Sequence, residues 1–126
     1  MTLRFQNYNN ALENDTHNIE IFYSVFENQN SCPILIERYI DLFVGNSFIL
    51  SCYSSKPLQF LTSRTPSALG FNGNCIKGEF LMVKNCTSAN MGVVVSFTNQ
   101  TQDYDHISFD QCETKTGGCM IAVCQT

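Results

Sequence analysis

Seven cysteines are the side chains best placed to do chemistry in this 126-residue chain: Cys32, Cys52, Cys75, Cys86, Cys112, Cys119 and Cys124. A cysteine can act as a nucleophile, hold zinc, or form half of a disulfide. Structural zinc draws on closely spaced pairs such as C-x-x-C. Only Cys119 and Cys124 approach that spacing, and no histidine stands beside them. Wide spacing suits disulfides that join distant strands in an oxidising compartment. All seven are therefore disulfide candidates. Six would pair, and the seventh would stay free or link two chains into a homodimer.

Other chemistry is thinly supported. A Cys/His nucleophile needs an imidazole beside the thiol. His17 and His106 are the two histidines, and no nucleophile signature surrounds either. Asp103, Asp105 and Asp110 cluster around His106. Paired carboxylates serve as acid and base or as hard ligands for Ca²⁺. This stretch lacks the ligand density and turn glycine of a calcium loop and reads as a solvated acidic turn. Gly117-Gly118 lacks the Lys-Ser/Thr and following helix of a phosphate loop and reads as a hairpin turn. The expectation is a non-enzyme without metal or cofactor. Three N-x-S/T sequons, at Asn14, Asn85 and Asn99, are glycosylation candidates. Phe43, Tyr53 and Phe71 stand beside polar loops and are the candidates for a partner surface.

The elements that must position these residues read as strands. "NIEIFYSVF" alternates Ile19, Ile21, Tyr23 and Val25 on one side. "CPILIERYIDLFVG" fits a strand or one helical face, and its β-branched residues tilt it to strand. "SFILSCY" is a strand that aligns Cys52 with Phe48 and Leu50. "PLQFLT" is another, and "SRTPSALGFNGN" is a loop punctuated by Pro66, Gly70 and Gly73. "GEFLMVKN", "MGVVVSF", "HISF" and "CMIAVC" complete the set, with turns at "QTQDYD" and "ETKTGG". Residues 1–18 read as a loose lead-in and 110–126 as a Cys-rich extension of a single domain over 1–126. Short strands at eight- to twelve-residue intervals describe an all-β sandwich.

Charge and composition narrow the partners. Net charge is −4, charged residues make up 14%, and the seven Lys and Arg are scattered. Nucleic-acid binding calls for a clustered basic surface, which is missing. No apolar run is long enough to span a membrane. The first residues lack a secretory signal's apolar stretch. The chain is thus cytosolic, or a signal was removed; the cysteine usage favours removal.

Two local patterns resemble the immunoglobulin-like accessory proteins of coronaviruses, the open-reading-frame-eight and seven-a type. One is Cys32-Pro33-Ile34 and its apolar strand, with a cysteine twenty positions on. The other is Phe48-x-Leu50-x-Cys52-Tyr53-Ser54-Ser55. The likeness runs from Cys32 to Phe109 through Cys75, Cys86, "MGVVVSF" and "DYDHISF". It implies an immunoglobulin-like β-sandwich with disulfides, and a Cys52–Cys75 bridge. Cys32 and Cys86 would belong to bridges between the sheets, although the family's partner positions hold no cysteine here. It further implies a secreted or lumenal viral accessory protein that binds host proteins and modulates immunity. Two alternatives stand beside it. One is a glycan-binding β-sandwich of a viral surface glycoprotein. The other is a cytosolic regulatory protein with reduced cysteines.

Overall fold

The computed structural model describes residues 2–13, 16–58, 64–117 and 120–125. It is built of strands, as the alternation predicts, but they do not pair as a sandwich. The elements are β1 (Thr2–Gln6), β2 (Leu12–Glu13), β3 (Asn18–Phe22), β4 (Val25–Glu27), β5 (Ile34–Ile36) and β6 (Asp41–Leu50). They continue with β7 (Tyr53–Ser54), β8 (Leu69–Lys84), β9 (Thr87–Ser88), β10 (Val94–Asp110), β11 (Glu113–Thr114) and β12 (Ile121–Gln125). Every strand pairing among them is parallel.

The register shows why. Thr2 pairs with Asn18, Ile19 with Leu42, Leu42 with Ile76, and Ile76 with Gln102. Each turn of chain thus lays its strand on the equivalent strand of the turn before. Among the described residues the chain makes five such turns, within 2–13, 18–36, 41–71, 75–98 and 101–125. The result is a parallel β-solenoid, in which each turn contacts only its neighbours. Four ladders run along it. The first carries β1, β3, the start of β6, residues 75–79 and residues 101–105. The second carries β4, the end of β6, residues 81–84 and residues 107–110. The third is β7–β9–β11. The fourth carries β2, β5, the start of β8, residues 94–98 and β12.

Sharp corners separate the ladders, and those on either side of the second ladder are made by residues in the left-handed region. Between the first and second ladders these are Asn7, Tyr23, Asn46, Phe80 and His106, with φ between 47° and 55°. Between the second and third they are Asn28, Ser51, Asn85 and Gln111. A left-handed residue breaks the ladder and reverses the in–out alternation. The backbone groups it leaves are taken up inside. The Ser47 hydroxyl donates to the Gly45 carbonyl at 2.8 Å and accepts the Ser24 N–H at 3.2 Å. The Ser24 hydroxyl donates to Phe22 at 2.9 Å and accepts the Tyr8 N–H at 3.0 Å. These serines are buried because the corner needs them.

The core is the bore of the coil, filled by Ile19, Ile21, Phe26, Ile34, Ile36, Val44, Ile49, Leu69, Phe71, Ile76, Leu81 and Val83. The fourth ladder is buried on both sides. Leu35, Val95 and Ala122 face outward but lie with Leu58 and Cys32 in a second, smaller cluster. A strand covered on both faces reads as a continuous apolar run, as in Ile34–Ile36 and Val93-Val94-Val95.

The immunoglobulin-like sandwich is therefore corrected to a parallel solenoid. So is the disulfide framework: Cys32, Cys52, Cys75, Cys86 and Cys112 are free thiols, and no Cys52–Cys75 bridge forms. Cys52 sits at the entrance to the third ladder, whereas Cys75 lies on the first. Cys119 lies outside the described residues, and of Cys124 only the strand position is described. Several element readings change as well. Residues 2–13 form two strands rather than a loose lead-in. Gly70 and Gly73 lie inside β8, and "QTQDYD" continues β10. "CPILIERYIDLFVG" splits at residues 37–40 into β5 and β6. Most of "PLQFLT" falls outside the described residues. No helix among the described residues is long and apolar enough to cross a membrane.

Candidate functional site

The corner between the first and second ladders carries the exposed aromatic surface. Its left-handed residues point away from the bore. Tyr23 is 61% exposed and Phe80 49%. The next outward position, two residues on, holds Val25, Phe48 and Met82, each about two-fifths exposed. Phe48 pairs in register with both Val25 and Met82. The column Val25, Phe48 and Met82 thus climbs the solenoid one step per turn, and beside it the corner column runs Tyr23, Asn46, Phe80, His106. The ring of Phe80 lies against His106 of the following turn, with centroids 4.6 Å apart and planes 15° from parallel. His106 Nδ1 lies 2.7 Å from Asp105 Oδ1. A groove of about 510 Å³ runs over this shelf, bordered by Tyr23, Asn46, Phe48, Phe80, Met82 and His106. Tyr23 and His106 are the ionisable side chains among those six.

Backbone strain marks the same place. Asn and Gly take the left-handed region readily, whereas an aromatic residue there is an outlier. Asn7, Asn46 and His106 are of types enriched there; Tyr23 and Phe80 are not. Two aromatic rings are held outward at roughly 1–2 kcal/mol each, where asparagine or glycine would be cheaper.

A second groove, of about 470 Å³, lies over the outer side of the first ladder, with Glu20, Asp41, Phe43, Cys75, Lys77 and Asp103 along it. Lys77 Nζ sits 5.8 Å from the centre of the Phe43 ring, and Phe43 packs on Phe22 at 5.1 Å. Arg4 and Glu20 pair at 3.0 Å on the same side. Opposite charges here neutralise one another across turns.

A third feature is interior. Cys52, Cys86 and Cys112 follow the left-handed residues Ser51, Asn85 and Gln111, and so turn inward on successive turns. The Thr87 N–H donates to the Cys52 carbonyl at 2.9 Å and the Glu113 N–H to the Cys86 carbonyl at 3.0 Å, which fixes the three in one column. Each thiol lies against backbone carbonyls, as Cys86 Sγ does at 3.6 Å from the Ile49 oxygen, and the three act on one another with Cys86 in the middle. Cys112 is lowered to about 6, first because Cys86 hydrogen-bonds to its sulfur. Cys52 is lowered to about 7 by the same donor. Cys86 is pushed up, by its bonds to Cys112 and Cys52 and by burial. Cys86 has a single S–H to donate, so the column stabilises one thiolate at a time. Cys112, the least buried of the three, is the better place for it. Burial raises Cys32, which lies apart in the smaller cluster.

The candidates named from sequence are dispersed. Of the partner-surface residues, Tyr53 is exposed beneath the Lys115 ammonium and Phe43 is half-buried under Lys77. Phe71 is fully buried core and not a surface residue. Asn85 is an exposed corner residue whose Nδ2 donates to Ser51 Oγ at 3.2 Å. Asn99 is exposed where β10 shifts register, and Asn14 lies outside the described residues. Among the described residues no group of three or more His, Cys, Asp or Glu surrounds a common metal position. Asp110 lies 3.9 Å from Lys84 rather than beside His106. Sequence reasoning missed Tyr23, Phe48, Phe80 and Met82. Alternation hid them, because Tyr23 and Phe48 stand in phase with Ile19–Ile21 and Leu42–Val44 and only the left-handed corner residues turn them outward.

Fold and surface together define a parallel β-solenoid with an aromatic shelf along one corner. Comparison with known proteins finds no matching family model, no matching curated protein and no matching solved structure.

Proposed function

We propose that the chain is a non-enzymatic binding module that docks a protein partner on the corner shelf. The observation that carries this reading is the exposed apolar column Val25, Phe48 and Met82, with Tyr23 and Phe80 on the corner beside it. Tyr, Phe and Met are the residues enriched at interface centres, whereas charged side chains are depleted there. An exposed apolar patch of this kind marks an interaction surface on a soluble domain. Holding aromatic rings outward in the left-handed region is costly for folding alone, and a bound partner supplies the compensation. The reading keeps protein binding from the sequence analysis. It no longer leans on bridged cysteines or an immunoglobulin-like frame.

The test uses the whole chain as bait beside a Phe80→Ser/Met82→Ser variant, with circular dichroism to establish that both fold alike. A partner retained by the parent chain and lost by the variant supports the reading. An unchanged partner set overturns it.

The flush Phe80–His106 stack favours a second reading. A flat ring face bordered by the neutral polar groups of Asn46 and Ser108 also suits the C–H face of a sugar ring. A glycan array probed with the chain and with Phe80→Ser separates the two. Saccharide binding that vanishes in the variant selects the sugar.

A further inference from the structure

We propose that Cys86 and Cys112 form a two-coordinate site for a soft monovalent cation of the copper(I) or silver(I) type. Three observations carry it. The two residues are in register on adjacent turns, fixed by the Glu113 N–H to Cys86 carbonyl bond at 3.0 Å. Each follows a left-handed corner residue, Asn85 or Gln111, and so turns inward to the same side. Carbonyls rather than cationic side chains complete the surroundings: Cys86 Sγ is 3.6 Å from the Ile49 oxygen and Cys112 Sγ 3.4 Å from that of Val83.

The geometry selects the ion. Cys52, Cys86 and Cys112 stand in a row, so they do not surround a point, and no tetrahedral centre arises. Zinc, which wants four ligands at tetrahedral angles, does not fit. A linear S–M–S unit does. Parallel neighbours stand about 4.8 Å apart, and two metal–sulfur bonds of about 2.3 Å laid end to end span nearly that. Thiolates are the ligands that soft ions prefer. Cys112 provides the entry. It is partly exposed on the last described turn, whereas Cys52 and Cys86 are buried. Binding exchanges thiol protons for the ion: two S–M bonds form as the S–H bonds of Cys86 and Cys112 break, and the protons leave to solvent. No electron moves.

The experiment titrates the reduced, full 126-residue chain with copper(I) under oxygen-free conditions, against the chromogenic chelator bicinchoninate. The chain is expected to hold one equivalent, with a sulfur-to-copper charge-transfer band. Cys112→Ala lies at a partly exposed position and tolerates truncation; it should weaken retention by about 100-fold or more, beyond the usual effect of losing an outer-shell partner. Cys86→Ala should do the same. Cys32→Ala, Cys52→Ala, Cys75→Ala and a Cys119→Ala/Cys124→Ala double variant should retain the ion. The proposal is overturned if the parent chain yields all its copper to the chelator. It is equally overturned if Cys112→Ala keeps its affinity, or if one of the other variants loses it. Because Cys112→Ala decides alone, failure of Cys86→Ala to fold leaves the test intact.

Discussion

Cys112 owes its acidity to one neighbour. With Cys86 donating to it, its pKa falls from the ordinary 9.0 to about 6. Alkylation of the native chain by iodoacetamide should therefore rise through pH 6 and level off before pH 8, read at the Cys112 peptide by mass spectrometry. In Cys86→Ala the rise should move toward pH 9. The stability consequence has a definite sign. A depressed folded-state pKa contributes stability that is present above the unfolded value and lost as pH falls through the folded one. The urea midpoint should decline on acidification from pH 9 to below 6, and the decline should flatten in Cys112→Ala. Above pH 9 the raised Cys86 acts in the opposite direction, because the unfolded chain ionises it while the folded chain does not. The corner serines make a second residue-scale case. Ser47 takes up both the Gly45 carbonyl and the Ser24 N–H in the interior. Ser47→Ala leaves both without it, and chemical denaturation should show a loss of about 1–3 kcal/mol.

At the scale of the element, the left-handed corners decide what faces where. In β6, Leu42 and Val44 point inward, Asn46 turns the chain, and Ser47 and Ile49 point inward next. Strict alternation carried through Asn46 puts Phe48 in the core, but it is exposed. In the same way Tyr23 and Val25 appear to continue the Ile19–Ile21 face, until Tyr23 adopts φ 49° and sends both outward. Cys52 does face inward, yet not with Phe48: Ser51 reverses the phase a second time. Strand character was thus legible, because β-branched alternation survives between corners. Corner positions were not, because Tyr23 and Phe80 give no sign of a left-handed residue. The shelf was lost with them. That strain makes a prediction. Phe80→Gly relieves the left-handed cost and Phe80→Ala keeps it, so thermal unfolding should find the glycine variant more stable than the alanine variant, by up to about 1 kcal/mol. Both should bind the shelf's partner equally poorly. A glycine variant less stable than the alanine one would mean that Phe80 is not strained.

Parallel pairing of the whole molecule was hidden for a different reason. Equivalent positions recur at unequal intervals, as Thr2–Asn18, Ile19–Leu42, Leu42–Ile76 and Ile76–Gln102 show. No fixed repeat appears for the eye to find, and turn signals every ten residues look the same at a solenoid corner as in a hairpin. The two architectures differ in how stability is distributed. A sandwich shares one core, whereas each turn of a solenoid depends on its neighbours. Here the middle turns bury their inward side chains completely: Ile21, Val44, Ile49, Ile76, Leu81 and Val83 are at or below 1% exposure. The inward residues of the first and last described turns, Phe5, Tyr8, Tyr104, Ile107 and Phe109, are only partly covered. Tyr104 shows the imbalance. It spreads over Gly78, and burial pushes its phenol up to about 12. Less burial per residue means cheaper local opening. Native-state hydrogen exchange on the 126-residue chain should therefore grade along the coil axis. Amides of β6 and residues 75–84 should exchange slowest, and those of β1 and residues 101–110 sooner. Ile49→Ala, in the middle, should lower protection in every turn and cost about 2–5 kcal/mol. Phe109→Ala, on the last described turn, should lower protection there and leave β3 and β6 nearly unchanged. Equal loss across all turns from both substitutions would mean one all-or-none core, contrary to the nearest-neighbour stacking that the register defines.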